Sequence, residues 1–253
     1  MPSNFYQTDK ALAEYLLFHY GRDEDQMPWS GGPKEALHFP VRCVTECLRP
    51  SLLRTPARAL DLGCAVGRSA FELARHCHEV VAIDSASRLI QAAETIRTAG
   101  GLDFQFVEEG EIRTGGRALA PAGVDASRIR FEVGDAMSLR DGLGQFAVVL
   151  MANLLDRLPD PRRCLAQLQA LVGIGGQLIL VSPYTWLEEY TAVDRWLGGR
   201  AVEKGSGRTL DALREYLQGD FRFDTAIDLP FLIREHARKY QWSVAQASLW
   251  TRY

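Results

Sequence analysis

The segment Arg58 to Ala74, RALDLGCAVGRSAFELA, limits the fold more than any other part of the chain. A short apolar run enters a glycine-bearing loop, and a helical pattern follows. Strand, tight turn and helix in that order make the corner on which a nucleotide rests in an open α/β sheet. A pyrophosphate-binding loop carries a middle glycine that lets backbone approach the phosphates. Here Gly63 and Gly67 flank Cys64, Ala65 and Val66, so a pyrophosphate would meet the side chain of Ala65. Asp61 would also repel phosphate, yet it can accept a hydrogen bond from an ammonium group. An NAD-dependent oxidoreductase is therefore disfavoured.

Around this corner the hydrophobic period alternates. EVVAID, IRFEVGD, FAVVLMANLL and GGQLILVSPY read as strands, and GRSAFELARHC, SASRLIQAAETIRTAG and DPRRCLAQLQALV read as helices. Such alternation implies right-handed crossovers and a parallel sheet covered on both faces. LDFQFVEEGEIRTGGRAL reads as an inserted hairpin. Before the corner, DKALAEYLLFHYG predicts a helix with Leu12, Tyr15, Leu16 and Tyr20 on one face, DEDQMPWSGGP a loop, and PKEALHFPVRCVTECLRP a helix or helix pair. After Tyr184, TWLEEYTAVDRWLGG and TLDALREYLQGDF look helical, and the last 30 or so residues read as two long strands. The expected fold is α/β: a Rossmann-like, seven-stranded, mostly parallel sheet with a C-terminal antiparallel hairpin and an N-terminal helical cap. One domain of 253 residues is expected, with a cap over 1–54, a cofactor-binding core over 55–184, and substrate-side helices and the hairpin over 185–253.

Three further signals follow in chain order. Asp84, with Ser85 behind it, closes the second strand, where an acid accepts both ribose hydroxyls. Asp135 and Ala136 end the third strand, and Asn153 and Leu154 follow the fourth. Together with Asp61, Gly63, Cys64, Ala65 and Gly67, this constellation resembles class I S-adenosylmethionine-dependent methyltransferases. That resemblance implies S-adenosylmethionine as cofactor. Its amino-acid tail would lie at the glycine loop and Asn153, its ribose on Asp84, and its adenine at Asp135 and Ala136. Arg42 is an outside candidate for the cofactor carboxylate.

Longer blocks narrow the family. YQTDKALAEYLLFHYG, FPVRC, ANLLDRLPDPRRCL, SPYTWLEEY, WLGG and DLPFLIREHARKYQWSVAQASLW are similar to the methyltransferase module of ovothiol biosynthesis. This resemblance implies methylation of an imidazole ring nitrogen of 5-thiohistidine, a small-molecule substrate made by a separate enzyme. Arg157 or Arg234 then becomes the anchor for the substrate carboxylate, and Tyr15, Tyr20 and Tyr184 walls of its site. Asp156 or Glu235 is the general base if one is used. The tyrosines fit a core role equally well, Arg157 can pair with Asp156 or Asp160, and strand alternation lets at most one of Arg234 and Glu235 face a pocket. Other acceptors that fit the same motifs are another thiol- or selenol-imidazole or an amine. A non-catalytic cofactor-binding subunit is the alternative of another class.

Composition closes off other classes. The net charge of -3 and the absence of a basic block disfavour a nucleic-acid partner. No apolar run approaches the ~20 residues of a membrane span, and MPSNFYQTDK has no apolar signal core. Five scattered cysteines suit a reducing, cytoplasmic compartment. No metal is expected, since His76 and His78 fall at a helix end, away from the strand ends. The oligomeric state is not readable from these patterns.

Overall fold

The computed structural model describes residues 4–201 and 207–253. The cap comprises α1 (Asp9–Tyr20), a single turn α2 (Asp23–Gln26) and α3 (Phe39–Thr45). The core then alternates through β1 (Arg58–Leu62), α4 (Arg68–Leu73), β2 (Glu79–Asp84) and α5 (Ser87–Ala99). A hairpin of β3 (Gly101–Glu109) and β4 (Ile112–Leu119) interrupts it. The core resumes with β5 (Ile129–Val133), β6 (Phe146–Ala152), α6 (Pro161–Leu171) and β7 (Val172–Ser182). The chain closes with α7 (Thr209–Leu217), β8 (Phe221–His236) and β9 (Lys239–Arg252).

The sheet has seven strands in the order β5-β2-β1-β6-β7-β9-β8. The first five in that order are parallel, and β9 runs antiparallel to both β7 and β8. Strands such as RALDL and FAVVLMA can be almost continuously apolar because both faces are covered. One face packs against α3, α4, α5 and the cap around Phe71, Val148 and Ile179, and the other against α6 and α7 around Leu60, Val149 and Trp250. Strand order reverses between β1 and β6, and the crevice beyond their carboxyl ends is where an open α/β sheet binds its ligand. The expected architecture is the observed one, down to the C-terminal hairpin and the inserted pair β3–β4, which forms its own two-stranded sheet.

Three local expectations fail for physical reasons. DEDQMPWSGGP contains α2, whose three acids, Asp23, Glu24 and Asp25, sit in its first turn and complement the helix dipole. In α1 the buried residues are Ala11, Leu16, Leu17 and Phe18, because β8 and the β3–β4 hairpin cover the helix from more than one side. TWLEEYTAVDRWLGG, expected to be helical, holds only a short 3-10 turn, Val193–Arg195, whereas TLDALREYLQGDF forms α7 as expected. Tyr184 itself is left-handed (φ 54°), and hydrogen bonds to distant partners hold the chain irregular. Thr185 N–H donates to Asp156 Oδ2 at 2.8 Å and the Thr191 hydroxyl to Leu158 O at 2.7 Å.

Asp160 caps α6, accepting from Arg163 N–H at 3.1 Å. Asp160→Ala is expected to cost about 1 kcal/mol of stability, read by urea denaturation. A loss below a few tenths would show that the cap contributes nothing.

Candidate active site

The cleft at the carboxyl ends of β1, β2 and β6 has a volume of about 470 Å³. Its floor is the loop after β1, where Gly63 (φ +81°), Ala65 (φ +49°) and Gly67 (φ +83°) are all left-handed. A Cβ on Gly67 would come within 2.4 Å of the Phe131 ring, and one on Gly63 within 3.0 Å of the Leu154 side chain. Glycine is required at both positions by conformation and by space. Ala65 tolerates its backbone because its N–H donates to Asp84 Oδ2 at 2.9 Å; the other carboxylate oxygen takes Ala86 N–H at 2.8 Å. Burial raises the Asp84 carboxyl above the usual range, and these backbone donors work against that rise.

Asp61 is 2% exposed and accepts from the Ser69 hydroxyl at 2.7 Å. Burial pushes its carboxyl up to about 7, the Ser69 bond opposing and the Asp84 charge reinforcing the rise. The structure brings Asp61, Gly63, Cys64, Ala65, Asp84, Ser85, Asp135, Asn153 and Leu154 onto this one cleft, with Arg157 and Tyr15 facing it. Arg157 donates to Thr185 O at 3.0 Å, and its guanidinium lies 4.9 Å from the centre of the Tyr190 ring.

Other predicted residues lie elsewhere, each for a visible reason. Gly67 and Ala136 support the cleft from behind: Gly67 starts α4, and Ala136 O accepts from the Gln167 side chain at 3.0 Å. Arg42 is spent on Glu46 (2.6 Å) and on the carbonyls of Glu35 (2.6 Å) and Pro230 (3.0 Å), clamping α3 to β8 rather than facing the cleft. The Tyr20 hydroxyl donates to Val66 O at 2.8 Å, tethering the end of α1 to the glycine loop from outside. Tyr184 points to Gln246 at 3.3 Å, within the second core. Arg234 is 5% exposed, bonded to Asp25 O and to Glu108 at 2.6 Å, and so ties β8 to α2 and β3. Glu235 pairs with Lys239 at 2.8 Å and accepts from Gln241 at 3.0 Å near the hairpin tip. Neither member of that predicted pair reaches the cleft; Ile233 does. Asp156 is fully buried, accepts from Ser182 (3.1 Å) and Thr185, and stands 3.6 Å from Arg157. It holds the Arg157 loop and does not line the cleft, so the structure offers neither Asp156 nor Glu235 as a base touching substrate.

Sequence reasoning missed Tyr6, His19 and Tyr190, which roof the cleft with Tyr15 and Phe18. Tyr6 hydrogen-bonds with Tyr190 and Tyr15, and burial pushes its phenol up to about 12. Burial, helped by Arg68, pushes the His19 imidazole down to about 3, so it is neutral at physiological pH. No spacing rule links residues 6, 19 and 190, because only the folded chain brings them together.

The methyltransferase domain family matches residues 35–219, and the chain belongs to it. Among solved structures, the fold is shared with the N-methyltransferase NodS from Bradyrhizobium japonicum in complex with S-adenosyl-l-homocysteine. The two are 16% identical, with a TM-score of 0.51 over 95% of this chain and 98% of that one. A SAM-dependent methyltransferase from Methanosarcina mazei is 22% identical, with a TM-score of 0.52 over 81% of this chain and 98% of the other. A protein studied for the conversion of a disulfide bond into a thioacetal group during echinomycin biosynthesis is 17% identical, with a TM-score of 0.52 over 80% and 77%. Among the described residues, no helix is long and apolar enough to cross a membrane.

Proposed function

We propose that this chain is an S-adenosylmethionine-dependent N-methyltransferase that methylates an imidazole ring nitrogen of 5-thiohistidine to give ovothiol. The observation that carries the reading is the division of the cleft. Carboxylates Asp61, Asp84 and Asp135 line the strand side, and a tyrosine wall with Arg157 lines the other. The strand side suits a ligand that has an ammonium group and a ribose and lacks phosphate. Asp84 sits at the end of β2 for the ribose hydroxyls, and Asn153 Oδ1 is buried without a protein partner beside the glycine cradle. When bound, S-adenosylmethionine supplies an electrophilic methyl group on a sulfonium. S-adenosyl-l-homocysteine in the fold relative NodS is in keeping with this assignment.

The protein's part in such a reaction is to hold nucleophile and methyl in line, which is worth ~7–11 kcal/mol when the geometry is good. Tyr6, Tyr15 and Tyr190 offer flat, neutral walls to an imidazole ring. Arg157 has five N–H donors, and its bonds through Nη1 fix the guanidinium while leaving donors for an anionic acceptor group. Turning the sulfur toward Arg157 would leave the ring nitrogen to meet the methyl. The neutral ring nitrogen brings its own lone pair, so the displacement of Asp156 and Glu235 from the cleft is no obstacle. The five cysteines, all buried as free thiols, fit a cytoplasmic setting.

Mass spectrometry of a reaction with S-adenosylmethionine and 5-thiohistidine, with fragmentation to locate the methyl group, tests the reading. A methyl on sulfur, or no product while cofactor binding is intact, would overturn the acceptor assignment. Arg157→Ala is expected to raise the acceptor KM by about tenfold or more, the scale of a lost charged hydrogen bond, and to leave S-adenosylhomocysteine affinity unchanged. A KM that does not move would place the anion anchor elsewhere.

A further inference from the structure

Tyrosine hydroxyls elsewhere in the chain tie the fold to itself. Those of Tyr20, Tyr216 and Tyr240 donate to the carbonyls of Val66 (2.8 Å), Arg162 (3.1 Å) and Ala237 (2.7 Å), and that of Tyr184 meets the Gln246 side chain. The tyrosines that line the cleft behave differently. Tyr6 hydrogen-bonds with both Tyr15 and Tyr190, so their three hydroxyls form a chain within the site. Each phenol oxygen has more lone pairs than such a chain uses.

The chain crosses from one side of the cleft toward the other. At its Tyr190 end the Arg157 guanidinium lies 4.9 Å from the ring centre, and the rings of Tyr6 and Tyr15 meet edge to face at 6.0 Å. Burial, the Tyr6 phenol and the Asp84 charge hold the Tyr15 phenol well above its usual range, and the Arg157 charge opposes them. The Tyr15 hydroxyl thus stands within reach of both the anion anchor and the carboxylate that ends β2. Tyr6 and Tyr15 keep their protons at physiological pH.

A neutral imidazole has two unlike nitrogens. One holds the proton and has its lone pair tied into the ring; the other has an exposed lone pair and is the nucleophile. The hydrogen bond offered to the ring sets which is which. A carboxylate in that place would draw the proton off, whereas a phenol accepts the N–H and leaves the proton on the ring. Among the described residues, the carboxylates lining the cleft are Asp61, Asp84 and Asp135, all on the strand side.

We infer that the Tyr15–Tyr6–Tyr190 hydroxyl chain selects the nitrogen to be methylated, accepting the N–H of one ring nitrogen and so leaving the lone pair of the other for the methyl group. The inference rests on the proposed reading, with the acceptor's sulfur on Arg157. The transfer balances without a base. The methyl–sulfonium bond breaks with its electron pair staying on that sulfur, the nitrogen lone pair makes the new bond, and the ring proton stays in place. The positive charge the ring gains is offset by the acceptor's thiolate.

The test is the ratio of N-methyl isomers made from S-adenosylmethionine and 5-thiohistidine, read by NMR. Wild type is compared with Tyr6→Phe, Tyr15→Phe and Tyr190→Phe, each of which keeps the ring and removes one oxygen. Wild type is expected to favour one isomer. That preference falls about tenfold, the scale of one lost hydrogen bond, in Tyr6→Phe and in whichever end variant removes the oxygen nearest the acceptor, while the total rate falls less. Tyr184→Phe keeps the wild-type ratio. Should Tyr6→Phe fail to fold, the two end variants read the same ratio. A ratio unmoved in all three overturns the selector even if the rate drops, because lost packing slows transfer without choosing between nitrogens. Loss of all product in all three, or a wild type that makes both isomers equally, overturns it as well. A wild type that methylates no ring nitrogen overturns the acceptor reading and the selector with it, whereas N-methyl product with an unmoved ratio overturns the selector alone.

Discussion

S-Adenosylhomocysteine is expected to bind about tenfold more tightly for each pH unit between roughly pH 5 and 7, with affinity level above that range. The cause is Asp61. Buried beside Ser69 and near the Asp84 charge, its carboxyl sits at about 7 in the free protein. It is therefore protonated over most of this range. An ammonium partner favours the ionised form, so binding below pH 7 must release a proton, and rising pH removes that cost. Asp61→Asn should bind weakly and show no such slope. The sign for folding is opposite. A carboxyl raised in the folded state holds its proton where the unfolded chain has lost it, so the free protein loses stability as pH climbs from about 4 to 7. Calorimetry across pH, in buffers of different ionisation enthalpy, reads the proton release directly. A wild-type affinity independent of pH would remove Asp61 from the ammonium site.

Asp84→Ala should reduce cofactor affinity by about a hundredfold or more. Loss of charge-assisted bonds to ribose hydroxyls accounts for ~1.5–3 kcal/mol. The remainder comes from the loop. The same carboxylate holds Ala65 N–H at 2.9 Å and Ala86 N–H at 2.8 Å, so its removal frees a left-handed alanine in the cradle. Asp84→Asn, which keeps one acceptor oxygen, should fall between wild type and alanine. Unchanged affinity in Asp84→Ala would sink the ribose role. A loss confined to thermal stability would assign the residue to the loop alone.

Much of the fold and the strand side of the cleft is legible in the amino-acid sequence. Parallel strands covered on both faces write themselves as apolar runs, and Asp61, Asp84 and Asp135 stand at their ends. The cap side was opaque for a different reason. Arg42 and Arg234 have the chemistry of anion anchors, yet their partners include the carbonyls of Glu35, Pro230 and Asp25, and every residue type has a carbonyl. Tyr184 follows β7 as an acceptor residue would, but its left-handed backbone turns the ring to Gln246 and leaves the cleft to Tyr190. His19 sits in a helix covered from more than one side, so no face of the pattern marks it, and only the tether between Tyr20 and Val66 reveals what it overlooks.

The roof of the cleft joins distant parts of the polypeptide. Phe18 and Phe39 of the cap meet Phe231 of β8, with ring centres 6.2 and 4.9 Å apart, and Trp29 Nε1–H donates to Ala237 O at 2.8 Å. On a ribosome the glycine loop and its acids would emerge long before β8. The cap that roofs the cradle is thus braced by strands far along the sequence from the glycine loop, and Ile233 of β8 adds to the cleft wall.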